Sequence, residues 1–161
     1  MTFTFEYFGS LITAESLGTD WMPPIEEVIS AHPMPITQDG KIVTVHVINR
    51  GYDIPGGHVD PGEDAITAME REAWEEATIR ISHPVLLDVL HVSSENEALG
   101  LKEKPYMLLY ATKVASLDPF VPNSEVDERL QLAPKEFVDV YFADKSYSEV
   151  IVEKALSLIT Q

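Results

Sequence analysis

The sequence contains no cysteine among its 161 residues. A disulfide framework, a thiolate metal site and a cysteine nucleophile are therefore excluded. No apolar run approaches the roughly 18 residues that span a bilayer, and the N-terminal letters MTFTFE lack the basic head of a signal peptide. These absences predict a cytoplasmic protein with no membrane partner.

Basic residues are scarce, with 11 Lys and Arg against 27 Asp and Glu, for a formal charge of −16 at pH 7. Duplex nucleic acid is an unfavourable partner for such a surface, because its binding depends on Lys and Arg displacing counterions. An anionic small molecule needs a cation to bridge it to the protein. The sequence also lacks a glycine-rich phosphate loop followed by Lys-Ser/Thr, and it has no serine nucleophile elbow.

The composition, with 45% hydrophobic and 24% charged residues, is typical of a soluble globular protein. A chain of this length buries a sufficient core as one unit, so residues 1–161 are predicted to form a single domain. The sequence leaves open whether that domain forms a homodimer.

Short β-rich runs alternate with two helical patterns along the chain. The predicted strands are FTFEYF (3–8), VISAHPMPI (28–36), KIVTVHVI (41–48), PVLLDVLHV (84–92), PYMLLYATKV (105–114) and FVDVYF (137–142). The turn signal Asp39-Gly40 predicts that the second and third strands pair as a hairpin. Helices are predicted from about residue 64 to Ala77 and over 146–159, so the fold is mixed α and β.

The first of these helices concentrates acidic residues on one side. At about 100° per residue, its apolar stripe is formed by Ile66, Met69, Ala73 and Ala77. Three glutamates, Glu72, Glu75 and Glu76, share a neighbouring arc. Like charges four residues apart repel by about a few tenths of a kcal/mol. The arc is therefore either a solvated acidic face or a site for a hard divalent cation, for which Mg²⁺ is the best fit.

The pattern around these acids favours the metal site. Residues 57–79 resemble the Nudix box, which is Gly, five residues, Glu, seven residues, Arg-Glu, an apolar residue, any residue, Glu-Glu, any residue, Gly and an apolar residue. Every charged position is matched in register, and the flanking segments YDIPGG and EVDERLQLAPKEF (125–137) are also similar to that family. Thr78 replaces the final glycine of the box. A threonine cannot take a left-handed helix cap without strain, so the helix exit is expected to be strained or rebuilt.

The resemblance implies an α/β/α sandwich with a mixed sheet that hydrolyses a pyrophosphate bond in a nucleoside diphosphate linked to a group X. Mg²⁺ or Mn²⁺ would be held by four groups: the carboxylates of Glu72, Glu75 and Glu76 and the backbone carbonyl of Gly57. Arg71 would orient the carboxylates through a salt bridge, and Glu63 would anchor the preceding loop.

The resemblance leaves the general base open between Glu75 or Glu76 of the helix and Glu125 of a later loop, with Glu128 behind it. The alternative for that loop is an exposed acidic turn.

Substrate recognition lies outside the box. Arg50, Tyr52 and Lys104 are candidates for contacts with phosphate, base or sugar, and each is otherwise ordinary surface or packing. The five histidines show no metal-site spacing, and only His58, beside the Gly57 carbonyl, is a candidate for the site.

Two other functions remain. The chain is alternatively a weakly active or inactive Nudix-fold sensor of a nucleotide or metabolite, which Thr78 favours slightly, or an interaction module whose acidic helix is only surface.

Overall fold

The computed structural model describes residues 1–160 as a curled sheet with helices on both sides. The strands are β1 (Thr2–Tyr7), β2 (Ser10–Ser16), β3 (Val28–Ile36), β4 (Ile42–Val47), β5 (Gly51–Asp53), β6 (Gly57–His58), β7 (Ile79–Ser93), β8 (Tyr106–Leu117) and β9 (Val126–Leu132). The helices are α1 (Ala65–Ala77), α2 (Pro134–Val140) and α3 (Lys145–Ile159). None of the helices within residues 1–160 has the length and apolar character needed to cross a membrane.

The strands form one mixed sheet in the order β1-β2-β7-β8-β3-β4-β5, with β6 beside β3 and β9 beside β4. The β3–β8 pair is parallel, whereas the other pairs are antiparallel. The predicted hairpin between β3 and β4 is present but pairs only at Ile36 and Ile42. Beyond that point the two strands diverge, because β4 pairs with β5 and β9 while β3 pairs with β8 and β6.

The helices cover opposite faces of the sheet, which confirms the predicted α/β/α arrangement. Helix α1 buries small side chains, Ala68, Ala73 and Ala77 among them, and therefore packs closely against β3, β4 and β7. Helix α3 buries Ile151 and Ala155 in a separate core on the other face. These two cores hold α1 and the preceding loop in a fixed position over the sheet.

The prediction of a strand at 137–142 is wrong, because residues 134–140 form α2. Pro134 occupies the first turn of this helix, where its missing N–H costs nothing. The side chain of Glu136 accepts a hydrogen bond from the Ala133 N–H at 2.9 Å. Phe137 and Tyr141, four residues apart, stack on one another. A helical spacing in this short apolar run therefore prevails over its strand-like composition.

Candidate metal and active site

The acidic side of α1 faces the loop that joins β6 to the helix. β6 is fixed by its pairing with β3, which places Gly57 opposite Ala31. Asp64 caps α1 by accepting a hydrogen bond from the Thr67 N–H at 2.7 Å. The carboxylate of Glu72 lies so close to Gly57 that a Cβ there would be 2.7 Å from its Oε1. The loop and the helix therefore meet at Gly57 with no space for a side chain.

Arg71 connects the loop to two of the helix glutamates. Its Nε and Nη2 donate to the two carboxylate oxygens of Glu63 at 2.9 and 2.8 Å. Its Nη1 donates to Glu72 at 2.8 Å and to Glu75 at 3.3 Å, and Nη2 also reaches the carbonyl of His58 at 3.1 Å. The planar guanidinium thereby fixes the loop against the helix. The pKa of Glu63 is lowered because its carboxylate accepts hydrogen bonds from Arg71.

Unlike Glu72 and Glu75, Glu76 has no salt bridge to Arg71. Its Oε2 accepts one hydrogen bond, from the Gly56 N–H at 3.2 Å. Burial, together with the charge of Glu72, raises the pKa of Glu76 to about 8. Burial also raises the pKa of Glu72, against the opposing effect of Arg71. Without a metal, the surroundings of the pair therefore disfavour two negative charges.

The oxygen atoms available at this site are ligands suited to a hard divalent cation. The carboxylates of Glu72, Glu75 and Glu76 and the carbonyl of Gly57 are all oxygen donors, which Mg²⁺ and Mn²⁺ prefer. The carboxylates are not preassembled, and within residues 1–160 no three acidic or histidine side chains already surround a common metal position. Glu75, whose side chain is 56% exposed, is held less closely by Arg71 than Glu72, at 3.3 Å against 2.8 Å. Assembly of the full set therefore requires side-chain rotation.

Glu125 and Glu128 lie in different surroundings. Glu125 is exposed just before β9, and its charge is one of those that raise the pKa of Glu72. Glu128 accepts a hydrogen bond from the Tyr52 hydroxyl at 2.8 Å. Tyr52 also contacts the His46 ring, with centroids 4.9 Å apart. The Tyr52 hydroxyl is therefore already engaged within the protein.

Arg50 borders a cavity of about 60 Å³, whose lining does not include the acidic cluster formed by Glu72, Glu75 and Glu76. Its Nη2 donates to Asp53 at 2.7 Å, and its charge acts on the pKa of Glu76. The Arg50 Nε is buried without a hydrogen-bond partner among the described residues. Of the three predicted substrate-binding residues, only Arg50 lines this cavity. Lys104 lies on the loop before β8, where its N–H donates to the Gly100 carbonyl.

His32 and Asp53 also line the cavity, and the sequence analysis did not select either. A Cβ on Gly56 would collide with the His32 ring, so His32 supports the loop from beneath. Burial lowers the pKa of His32 to about 3, so the ring is neutral. Burial raises the pKa of Asp53 to about 6, while Arg50 opposes this rise. The only sequence signal for His32 is a polar residue inside the largely apolar strand β3, and Asp53 at the end of β5 has no such signal.

Thr78 occupies the conformation that the box glycine would take. Its φ of 53° and ψ of 45° are left-handed, and its N–H donates to the carbonyls of Ala73 and Trp74. Arg129 closes the same helix end by donating to the Ala77 carbonyl at 2.7 Å. The helix exit is therefore not rebuilt, and the threonine is held in a backbone conformation that glycine adopts more readily.

Thr78→Gly is expected to raise the free energy of unfolding by about 0.5–1 kcal/mol. Relief of the left-handed conformation is worth roughly 1–2 kcal/mol, and the greater freedom of glycine in the unfolded chain offsets part of it. Urea unfolding measures the change. Thr67→Gly, in the right-handed part of the same helix, is the control and should lower stability. Equal losses in both variants would show that the Thr78 conformation is unstrained.

Comparisons with known proteins identify the family. The NUDIX domain model matches residues 30–151, so the chain belongs to the NUDIX family. No curated protein matches the sequence. A solved Bacillus subtilis pyrophosphohydrolase, BsRppH, is 17% identical with a TM-score of 0.69, over 99% of this chain and 96% of that one.

Two further solved structures share the fold. A Streptococcus suis ADP-ribose pyrophosphatase is 13% identical with a TM-score of 0.62, over 84% of this chain and 93% of that one. A Nitrosomonas europaea NUDIX hydrolase is 21% identical with a TM-score of 0.57, over 83% and 88% of the two chains. At these identities the similarity concerns the fold, which confirms the predicted Nudix-like sandwich. Family membership places the chain among the Nudix-type hydrolases.

Proposed function

We propose that the protein hydrolyses a pyrophosphate bond in a nucleoside diphosphate linked to a group X, with Mg²⁺ or Mn²⁺ held by Glu72, Glu75, Glu76 and the Gly57 carbonyl. The observation that carries the proposal is the Glu72–Glu76 pair, two half-buried carboxylates on adjacent turns of a helix, whose pKa values are both raised by burial. The bound metal would neutralise the pyrophosphate, polarise the bond to be broken and acidify the attacking water. It would also allow a protein of charge −16 to bind an anion.

Arg71 and Glu63 act as positioning residues in this proposal. The two hydrogen bonds between their side chains fix the loop that carries Gly57, and the bond from Arg71 to Glu72 fixes one carboxylate. Neither side chain needs to contact the substrate. Their role is to hold the carbonyl of Gly57 and the carboxylate of Glu72 at ligand distance from one metal.

Glu125 is our candidate for the general base, with Glu75 and Glu76 as the alternatives. Glu125 is exposed and close enough for its charge to act on Glu72, so it is available to accept a proton from the attacking water. Glu76 is held by the Gly56 N–H, and Glu75 by Arg71. A base in the helix would have to release one of these contacts first.

We propose that the substrate is a small nucleotide derivative and that the protein hydrolyses it in the cytoplasm. Solved structures with this fold include an Ap4A hydrolase, a UDP-X diphosphatase and an ADP-ribose pyrophosphatase, and the names of all three refer to nucleotide compounds. The organic part of the substrate would lie on the Arg50 side of the acidic cluster, where the cavity opens. Tyr52 and Lys104 lie outside that cavity and are weaker candidates for contacts.

One observation favours the alternative, a weakly active or inactive nucleotide sensor. Arg71 already neutralises part of the charge of Glu72 and Glu75, and a protein that keeps these pairs would bind metal poorly. The conformation of Thr78 gives the sensor no further support, since the helix end has the geometry that glycine would give.

A substrate panel distinguishes the two functions. The wild-type protein is incubated with Mg²⁺ or Mn²⁺ and nucleoside triphosphates, ADP-ribose, dinucleoside polyphosphates or sugar nucleotides, and release of phosphate or nucleoside monophosphate is measured. Hydrolysis that requires the metal and is abolished by chelation is the expected result. Binding of one of these compounds without any turnover would establish the sensor instead.

A further inference from the structure

The turn between β1 and β2 holds an aromatic residue in an unfavourable conformation. Tyr7 pairs with Ser10, which leaves Phe8 and Gly9 as a two-residue hairpin turn with φ of 45° and 80°. Turns with two positive φ angles favour Asn-Gly, and the chain itself uses asparagine at Asn49, where φ is 64°. Phenylalanine at the first position is strained. Such strain in a native protein is grounds for a functional hypothesis.

The Phe8 ring is exposed, although it belongs to an aromatic cluster. The residue is 61% exposed, and its ring meets that of Tyr7 edge to face, with centroids 4.8 Å apart. The Arg50 guanidinium lies 5.3 Å from the Tyr7 ring and 5.7 Å from the Phe8 ring. Since Tyr7 and Arg50 both line the cavity, Phe8 lies beside its edge. The strain therefore keeps an apolar ring in solvent next to the candidate substrate site.

The cavity is too small to enclose a nucleobase, so a base would have to bind at its edge. Its volume of about 60 Å³ is well below the roughly 300 Å³ of the smallest typical ligand pockets. A purine therefore cannot be enclosed in it. A planar ring that approaches from the pyrophosphate site would instead remain outside, beside Tyr7 and Phe8.

We propose that Phe8, supported by Tyr7 and Arg50, is the stacking surface for the nucleobase of the substrate. This inference rests on the proposed function, because it assumes a nucleotide substrate. The β1–β2 hairpin lies outside residues 30–151, which match the family model. Base stacking on an aromatic side chain favours any base with an exposed π face, so Phe8 sets affinity for nucleotides over compounds without a base.

Calorimetric titration with AMP and with ribose 5-phosphate, in the presence of Mg²⁺, tests this assignment. Phe8→Asn should weaken AMP binding about tenfold and leave ribose 5-phosphate binding unchanged. It should also raise the midpoint of thermal unfolding, since asparagine suits the turn. Phe8→Trp should retain AMP affinity. Leu11→Asn, at a residue 59% exposed on the same hairpin, is the control and should bind both compounds like the wild type.

The proposal is overturned if Phe8→Asn binds AMP as tightly as the wild type. It is equally overturned if this variant loses affinity for AMP and for ribose 5-phosphate to the same extent. It is also overturned if the wild type does not prefer AMP to ribose 5-phosphate. Failure of the proposed function has a different signature: AMP affinity depends on Phe8, but no compound of the substrate panel is hydrolysed.

Discussion

Replacing Glu76 with glutamine is expected to lower kcat/KM at least about 100-fold, through loss or misplacement of the metal, while making the metal-free protein more stable. The pKa of Glu76 in the folded protein is about 8, above its ordinary value of 4.5. The folded state therefore holds the proton more tightly than the unfolded state, and the free energy of unfolding falls as the pH rises from 4.5 towards 8. Glutamine is neutral at every pH and removes this loss.

Thermal unfolding at pH 8, with EDTA and then with Mg²⁺, measures both effects. The Glu76→Gln midpoint without metal should exceed that of the wild type by about 2 °C or more, and Mg²⁺ should raise the midpoint of the wild type but not that of Glu76→Gln. Glu70→Gln, at an exposed position of the same helix, is the control and should match the wild type in activity and in its response to metal. A fully active Glu76→Gln enzyme would refute the assignment of Glu76 as a ligand.

Replacing Arg71 with lysine is expected to reduce metal affinity and kcat/KM by about 10- to 100-fold, although the positive charge is retained. The guanidinium binds both oxygens of Glu63 and also reaches Glu72. A lysine ammonium is a single point of charge and cannot span these positions. The Gly57 loop would then lose its fixed distance from the helix, so activity at saturating Mg²⁺ should recover only in part.

The comparison that isolates this geometry is Arg80→Lys, because Arg80 lies over the Trp74 ring at 4.0 Å and lysine also makes a cation–π contact. That variant should behave like the wild type. Adding Glu63→Gln to Arg71→Lys should not lower metal affinity or kcat/KM further, because both substitutions disrupt the same contact. Independent, additive losses from Arg71→Lys and Glu63→Gln would show that the two residues do not act together.

The local pattern of the sequence predicted much of the candidate site. Glu72 and Glu76 share a helix face because of the helical period, whereas the roles of Arg71 and Glu63 were expected only from the resemblance to the Nudix box. The fold class and α1 followed similarly from hydrophobic periodicity and from the resemblance to the Nudix box.

Long-range contacts could not be predicted in the same way. Arg50 meets Tyr7 and Phe8 across more than 40 residues of sequence, and no local pattern indicates that the N-terminal hairpin reaches the cavity. The error at 137–142 has a different cause. The run FVDVYF suits a strand by composition, and only the helix start at Pro134 and the packing of Phe137 decide for α2.

Direct titration of Mg²⁺ and Mn²⁺ into the metal-free protein tests the central claim most directly. Calorimetry of the wild type beside Glu72→Gln and Glu76→Gln, with Glu70→Gln as the matched control, reports metal binding without requiring a substrate. The account predicts saturable binding in the low millimolar range or tighter for the wild type and Glu70→Gln, and strongly weakened binding for the other two. Absence of binding to the wild type, or equal binding by all four proteins, would contradict it.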